Sequence, residues 1–190
     1  MKIKPFVTDY LLRLKHILDD IDADVVSDII DMLELTLVNK SRIYIIGNGG
    51  SSATASHMVN DLGAGLRRRD IANFDVVSLG DNSPVVSAIA NDIGYENIFI
   101  NQLKIHYRDE DILIVISASG NSPNVLKAAE WVKSKGGAII GFLGFNGGNL
   151  IDLCDVKIHF QSNPGEYGPV EDSHLIMNHI LAHWFQNKLK

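Results

Sequence analysis

Hydrophobic side chains recur at spacings of three and four residues along the first forty positions, which is the pattern of amphipathic helix. The stripe extends from Phe6 to Val38, and Asp22 stands where it would cap a second helix. We therefore predict two helices in an N-terminal extension that covers residues 1–40. Such an extension exposes an apolar stripe unless another surface covers it, and we expect it to be used in oligomerisation.

After Lys40 the pattern changes to short β-branched and apolar runs bounded by turn-forming residues. Runs of this kind predict five strands, at residues 42–47, 74–80, 111–117, 137–144 and 155–160. The intervening segments predict helices that start at Ser51, Ser83, Asn97, Ser122 and Gly147. A final helix is expected from about Val170 to Leu189.

Continuous apolar strands that alternate with helices indicate a parallel sheet covered on both faces. We predict one α/β domain over residues 1–190, built as a three-layer sandwich around a five-stranded parallel sheet. In sheets of this class, ligands bind beyond the carboxyl ends of the strands, where loops lead into helix N-termini. The loops that follow the strands are therefore the candidate binding site.

The chain of 190 residues has 17 basic and 23 acidic side chains, which gives a formal charge of −6. This charge is a poor match to nucleic acid, whose binding normally needs a concentrated basic face. No apolar run approaches the roughly 20 residues that would span a bilayer, and the N-terminus lacks the apolar core of a signal peptide. We expect a cytoplasmic protein without nucleic-acid or membrane partners, in which the single cysteine, Cys154, is a small buried hydrophobe.

Residues 47–52, here called the glycine loop, follow the first strand and open directly into a helix. Glycines let backbone N–H groups face a ligand, so the loop suits an anion or a cluster of sugar hydroxyls. A dinucleotide site is the weaker interpretation, because Ser52 occupies the third glycine position of that motif. The end of the second strand also lacks the expected acidic residue.

Residues 117–124, here called the serine loop, follow the third strand and contain three serines before a helix N-terminus. The helix dipole, the backbone N–H groups and the hydroxyls all favour a dianion without requiring lysine. A simple helix cap would need only Ser122. The serine loop therefore predicts a phosphate-binding site.

Taken in order, these segments resemble the sugar isomerase (SIS) domain family, and within it the bacterial phosphoheptose isomerases. The resemblance is carried by GNGGSS at 47–52, the run that ends in His57, AIANDIGYENIF at 88–99, ISASGNSPNVLKA at 116–128 and the last helix with His179. It implies a flavodoxin-like strand order, a homotetramer and an active site built between subunits.

The resemblance also assigns site residues. Together with Ser51 of the glycine loop, the positions implied for phosphosugar binding are Asn48, Gly49, Gly50, Asn91, Asp92, Ser117, Ala118, Ser119 and Ser122. The catalytic and zinc-binding positions fall on His57, Asp61, Glu171 and His179, and we also expect Glu171 to contact the substrate.

Five residues depart from the family pattern. Asp61 stands where the family usually has glutamate, and Glu171 stands where it has glutamine. Gly65 and Gly168 replace an arginine and an aspartate that touch the sugar, and Ala118 replaces a threonine. Apart from Ala118, the residues implied for phosphate binding are retained, and the departures leave the identity of the sugar open.

Four side chains are competent zinc ligands. His57 and Asp61 are four residues apart on a helix, so they share one face. Glu171 and His179 are eight residues apart, about 12 Å of regular helix, so they cannot reach one ion from the same helix. Either Glu171 precedes the helix or the two residues come from different subunits.

For two histidines and three arginines, the sequence predicts less specific roles. His174 and His183, on the same helix, are assigned a solvated or core role. Arg67, Arg68 and Arg69 are interpreted as a solvated loop, with a grip on substrate across an interface as the alternative.

The chemistry that the resemblance implies is aldose/ketose interconversion of a sugar phosphate through an enediol. Sedoheptulose 7-phosphate and D-glycero-D-manno-heptose 7-phosphate are the expected pair, destined for surface polysaccharide such as lipopolysaccharide or capsule. We assign Asp61 as the base and His179 as its acid partner, with zinc polarising the carbonyl. The alternative is a non-catalytic SIS module that binds a sugar phosphate or a protein, and a nucleotide-binding enzyme ranks third.

Overall fold

A computed structural model describes residues 2–188 of the chain. Its centre is a parallel sheet with the strand order β2-β1-β3-β4-β5. The strands are β1 (Arg42–Ile46), β2 (Asp75–Ser78), β3 (Ile112–Ser117), β4 (Ala138–Phe145) and β5 (Val156–Gln161). Each strand lies within two residues of its predicted bounds, and the strand order is the flavodoxin-like one that was expected.

Helices cover both faces of this sheet. Within residues 2–188 they are α1 (Ile3–Asp19), α2 (Ala23–Asn39), α3 (Gly50–Met58), α4 (Ser83–Ile93), α5 (Ile98–His106), α6 (Pro123–Ser134) and α7 (Tyr167–Lys188). A π-helical segment, Val59–Gly65, continues α3, and short 3-10 turns occupy Tyr95–Asn97 and Gly148–Asp152. None of the helices in this range is both long and apolar enough to cross a bilayer.

Two helix predictions need correction. The segment after Gly147 forms only a 3-10 turn of five residues, because the chain returns to β5 within a few residues. The last helix begins at Tyr167 rather than Val170, and it includes Pro169 in its first turn. Proline is tolerated there because a backbone N–H in the first turn would have no partner within the helix. Its predicted end, Leu189, lies outside the described residues.

Alternate residues of each strand enter two separate cores. Ile43 and Ile45 of β1 pack on the side of α2, α3 and α7, whereas Tyr44 and Ile46 pack on the side of α5 and α6. This is the period-two pattern of a strand buried on both faces. It produces the predicted three layers.

The N-terminal helices behave differently from one another. In α2, Ile29 and Leu33 are fully buried in the same core as β1, so this helix is a layer of the domain rather than an extension. The cap on α2 is the predicted one, since the Asp22 side chain accepts a hydrogen bond from the Asp24 N–H. Helix α1 exposes an apolar stripe that could meet a partner, and it comprises Ile3, Phe6, Val7, Leu11 and Leu12.

Helix α1 is tied to α7 by polar contacts near its middle. The Tyr10 hydroxyl donates to Asp172 at 2.5 Å, and Arg13 forms a bidentate pair with Glu166, which precedes α7. The carboxylate raises the pKa of Tyr10 to about 12 through this hydrogen bond. These contacts orient α1 against α7 and leave its apolar stripe facing outward.

His174 of α7 is fully buried between Phe142 and Phe160, as the core assignment predicts. Neither of its ring nitrogens makes a hydrogen bond of good geometry among the described residues, although the Leu143 backbone lies near the ring. Burial lowers the pKa of His174 to about 4, since the interior disfavours the charged imidazolium. The folded chain therefore holds this histidine neutral at pH values where the unfolded chain protonates it.

We expect His174→Leu to raise the free energy of unfolding at pH 7.5 by about 1–3 kcal/mol, because leucine fills the space without an unpaired polar group. Between pH 6.5 and 4, the free energy of unfolding of the wild type should fall by up to about 3 kcal/mol more than that of the variant. The reason is that His174 gains a proton in the unfolded wild type but not in the folded wild type over this range. Urea unfolding at each pH measures both effects, with the exposed His106→Ala as control. Parallel pH profiles for wild type and His174→Leu would contradict this assignment.

Candidate functional site

The glycine loop and the serine loop lie side by side because β1 and β3 are neighbours in the sheet. Their side-chain amides join the two loops directly. Asn48 Nδ2 donates to Asn124 Oδ1 at 2.9 Å, and Asn124 Nδ2 donates to Asn48 Oδ1 at 2.8 Å. Two helix N-termini, of α3 and α6, are thereby held at one edge of the sheet, where both can face an anion.

The cavity between the two loops contains most of the predicted phosphosugar ligands. Its lining includes Asn48, Ser51, Ser117, Ala118, Ser119 and Ser122, together with Tyr167 and Glu171. Gly49 precedes α3 with φ +53°, a conformation that side chains rarely tolerate, and no side chain caps that helix. The Ser52 N–H bonds to the Asn48 and Gly49 carbonyls, so the N–H groups of Gly50 and Ser51 are the ones that could face a ligand.

The hydroxyls of the serine loop are arranged to donate. Ser117 Oγ accepts from the Gly120 N–H at 3.0 Å, and Ser119 Oγ accepts from the Asn121 N–H at 3.3 Å. Each hydroxyl keeps its own proton to donate, which suits a phosphate oxygen. Ser122 occupies the N-cap of α6 without making a side-chain cap hydrogen bond. Its predicted role in binding is therefore compatible with the local structure.

Asn91 and Asp92 are placed elsewhere. Both are exposed on α4, where Asn91 Nδ2 donates to Asp92 Oδ1 at 2.9 Å. They line neither the cavity between the loops nor the histidine cavity described below. Their part in substrate binding stays a prediction that would need a further surface.

Glu171 lies with the predicted substrate-binding residues and apart from the other metal-ligand candidates. Because α7 begins at Tyr167, Glu171 lies inside the helix, and the expectation that it could precede the helix is wrong. Its carboxylate contacts Gly50 in the cavity between the loops, where a methyl group on that glycine would collide with it. Burial raises the pKa of Glu171, and the neighbouring Asp172 adds to the effect. Within one chain Glu171 therefore does not join the other three metal-ligand candidates.

Those three candidates, His57, Asp61 and His179, do converge. The Nε2 atoms of His57 and His179 are 3.3 Å apart, and Asp61 Oδ2 lies 3.2 Å from the first and 3.9 Å from the second. Two nitrogens and one oxygen bound to a tetrahedral zinc ion at about 2.0–2.1 Å would be about 3.3 Å apart. The residues present therefore fit a zinc ion with a fourth position open.

Three different elements supply this group. His57 comes from α3, Asp61 from the π-helical segment and His179 from α7. The π-helical segment widens the helix just where Asp61 projects, a distortion that often occurs at functional sites. The imidazoles are 42% and 47% exposed, whereas the Asp61 side chain is 18% exposed, so the carboxylate is packed against the protein and the imidazoles are open to the cavity.

The cavity at this group also contains arginines. Arg68 and Arg69 are exposed, as the solvated prediction has it, and both also line this cavity beside His57, Asp61 and His179. Arg69 Nη1 donates to the Gly65 carbonyl at 2.8 Å, which brings a guanidinium to one position where the family's arginine is missing. A side chain at Gly65 itself would collide with the Asn60 carbonyl.

Sequence reasoning missed several polar residues of the site, namely Asn124, Tyr167 and Asn178. Asn124 and Asn178 are buried amides on helices α6 and α7. The sequence does place a polar residue on the apolar face of each of these helices, which indicates a buried hydrogen bond. That pattern alone does not identify the residue to which the amide bonds. The partners, Asn48 and Asp61, are 76 and 117 residues away in sequence.

Comparison with known proteins agrees with this geometry. The SIS domain family model matches residues 8–144. A phosphoheptose isomerase of Rhodospirillum rubrum is 32% identical over 160 residues, 84% of each chain. One from Helicobacter pylori is 37% identical over 153 residues, 80% of this chain and 78% of the relative.

Solved structures show the same fold. The phosphoheptose isomerase of Neisseria gonorrhoeae superposes with a TM-score of 0.85 at 21% identity, covering 97% of this chain and 96% of that one. The enzyme of Francisella tularensis gives the same TM-score and identity over 98% and 97%. The family match, the sequence relatives and the fold agree, and the chain belongs to the SIS domain family, among its phosphoheptose isomerases.

Proposed function

We propose that this chain interconverts sedoheptulose 7-phosphate and D-glycero-D-manno-heptose 7-phosphate, or a closely related heptose phosphate pair. The observation that carries the proposal is the convergence of His57, Asp61 and His179, since an acid, a base and a metal-ligand set then occupy one cavity. A module that only bound a sugar phosphate would need the glycine loop and the serine loop, which follow β1 and β3, but it would not need the group of His57, Asp61 and His179. The convergence therefore favours an enzyme over the non-catalytic alternative.

The phosphate group is bound between the glycine loop and the serine loop. The hydroxyls of Ser117, Ser119 and Ser122 donate to its oxygens, and the N-termini of α3 and α6 stabilise its charge. Within residues 2–188, no lysine or arginine lines this cavity, so binding rests on dipoles and hydroxyls. This arrangement holds the dianion while the carbon chain extends towards the acid and base.

Asp61 acts as the base of the reaction. It removes a proton from the carbon beside the carbonyl, which gives the enediol, and it returns the proton to the neighbouring carbon. His179 moves a proton between the two oxygens, so that a carbonyl forms at one carbon as it is lost at the other. A zinc ion held by His57 Nε2, Asp61 Oδ2 and His179 Nε2 would supply a positive charge that stabilises the developing negative charge on these oxygens. Asp61 Oδ1 and His179 Nδ1 would then remain as the atoms that exchange protons.

The active site is completed by a second subunit. Eight residues of α7 separate Glu171 from His179, about 12 Å along the helix, and the two residues line different cavities. We assign the exposed apolar stripe of α1 to the subunit contacts of a homotetramer, in which a neighbouring Glu171 approaches the zinc ligands. The enzyme works in the cytoplasm, and its product serves surface polysaccharide synthesis.

Isomerisation itself is the first test. NMR of the purified chain with seven-, six- and five-carbon sugar phosphates should show turnover of sedoheptulose 7-phosphate. Asp61→Asn keeps the shape of the side chain but cannot accept the proton, and kcat should fall about 10²–10⁴-fold. Unchanged turnover in Asp61→Asn would reject Asp61 as the base, and no turnover of any heptose phosphate by wild type would reject the proposed function.

Glu171→Gln should improve substrate binding. A carboxylate inside a cavity built for a dianion repels it, so the neutral variant should lower KM for the sugar phosphate by about threefold to tenfold. The difference in KM between wild type and Glu171→Gln should become smaller as the pH falls. The reason is that the raised pKa of Glu171 lets its carboxylate take up a proton, and so lose its charge, at a higher pH than an ordinary glutamate does. Glu130→Gln removes one exposed charge elsewhere and should leave KM unchanged. Equal KM values in both variants would show that Glu171 does not face the phosphate.

Metal content provides a separate test. The purified chain should bind one zinc ion per subunit, and removal by a chelator should abolish turnover until zinc is restored. His57→Ala should lose the ion, whereas His106→Ala, an exposed histidine at the end of α5, should retain it. Full activity of metal-free protein would contradict the zinc assignment.

A further inference from the structure

Asn178 is a buried amide in the middle of α7, directly before His179. It is fully buried, and its flanking core residues on the helix, Met177 and Leu181, are apolar. The Asn178 Nδ2 group donates to Asp61 Oδ2 at 2.9 Å. Its Oδ1 atom is buried without any partner among the described residues.

This residue is unfavourable for the core by itself. Burying an amide whose carbonyl stays unpaired costs stability, and an apolar side chain of similar size would avoid that cost. The hydrogen bond to Asp61 is the one favourable polar contact that the described residues give the Asn178 side chain. The position is therefore explained by what the amide does for the carboxylate.

The two oxygens of Asp61 are held by two different amides. Asn60 Nδ2 donates to Oδ1 at 2.9 Å from an exposed neighbour in the π-helical segment, whereas Asn178 holds Oδ2 from α7. Oδ2 is the oxygen that faces the imidazoles of His57 and His179. A carboxylate accepts hydrogen bonds and cannot donate them, so the amide also fixes which way that oxygen points.

We propose that Asn178 is a positioning residue, which holds the Asp61 carboxylate in the orientation needed for metal binding and proton transfer. The inference rests on the proposed function. Asp61 reaches about 1.5 Å less far than a glutamate would, so a small rotation moves its oxygen out of range of its partners. Because α7 carries both Asn178 and His179, the same helix fixes the base and its acid partner relative to each other.

Asn178→Leu tests this assignment in the full chain. Loss of the amide should lower kcat about 10–100-fold and zinc affinity by a similar factor, as removal of hydrogen bonds to metal ligands usually does. KM should stay within about twofold, because the phosphate cavity is untouched. Thermal stability should change little, since the unpaired carbonyl is removed together with one hydrogen bond to the Asp61 carboxylate. Zinc affinity is measured by competition with a chromophoric chelator.

Ser173→Ala is the matched control. Ser173 is equally buried on α7, but its hydroxyl bonds only to the Pro169 carbonyl of its own helix. This variant should keep wild-type kcat and zinc affinity. If Asn178→Leu does not fold, Asn178→Ala removes the same donor with a smaller change in shape and is measured in the same way.

Wild-type kcat and zinc affinity in a folded Asn178 variant would overturn the proposal and leave Asn178 as an ordinary core residue. A wild-type chain that binds zinc but isomerises no heptose phosphate would instead reject the proposed function. In that case the zinc affinities of the Asn178 and Ser173 variants would still decide whether the amide positions Asp61. A fall in kcat with unchanged zinc affinity would also overturn the proposal, since the orientation of the carboxylate serves both.

Discussion

The arrangement of this protein depends on the adjacency of β1 and β3 in a parallel sheet. Parallel strands end at the same edge, and these two send their following helices to opposite faces of the sheet. Two helix N-termini therefore meet at one point, where the order of the strands changes direction. The reciprocal amide pair of Asn48 and Asn124 fixes the loops there, and the phosphate site proposed between them relies on helix N-termini and hydroxyls.

Helix α7 connects the proposed phosphate site to the proposed metal and acid–base group. Its first turns place Glu171 in the cavity between the loops, and two turns later His179 meets His57 and Asp61. The spacing is set by the rise of a regular helix and cannot be adjusted by side-chain rotation. One rigid helix thus separates the proposed phosphate site from the proposed acid and base, and this separation is why we propose that a second subunit completes the active site.

The residues around Asp61 show how the position of a short carboxylate can be fixed. The π-helical segment shifts the backbone at Asp61, and amides on either side hold its two oxygens. These features place a mostly buried carboxylate against two exposed imidazoles. The cost is an unpaired carbonyl in the core at Asn178, which agrees with the general observation that functional sites are locally less stable than the rest of a fold.

The sequence by itself determined the layers, the strands and the two ligand loops, because hydrophobic periodicity and glycine or serine at strand ends are local signals. It also identified His57 and Asp61 as neighbours, since four residues of helix bring side chains onto one face. Only the tertiary structure decided that α2 belongs to the core, that Glu171 lies with the serines, and that Asn178 bonds to Asp61. These facts depend on contacts between residues far apart in sequence, and local periodicity carries no information about which distant side chain a buried polar group will meet.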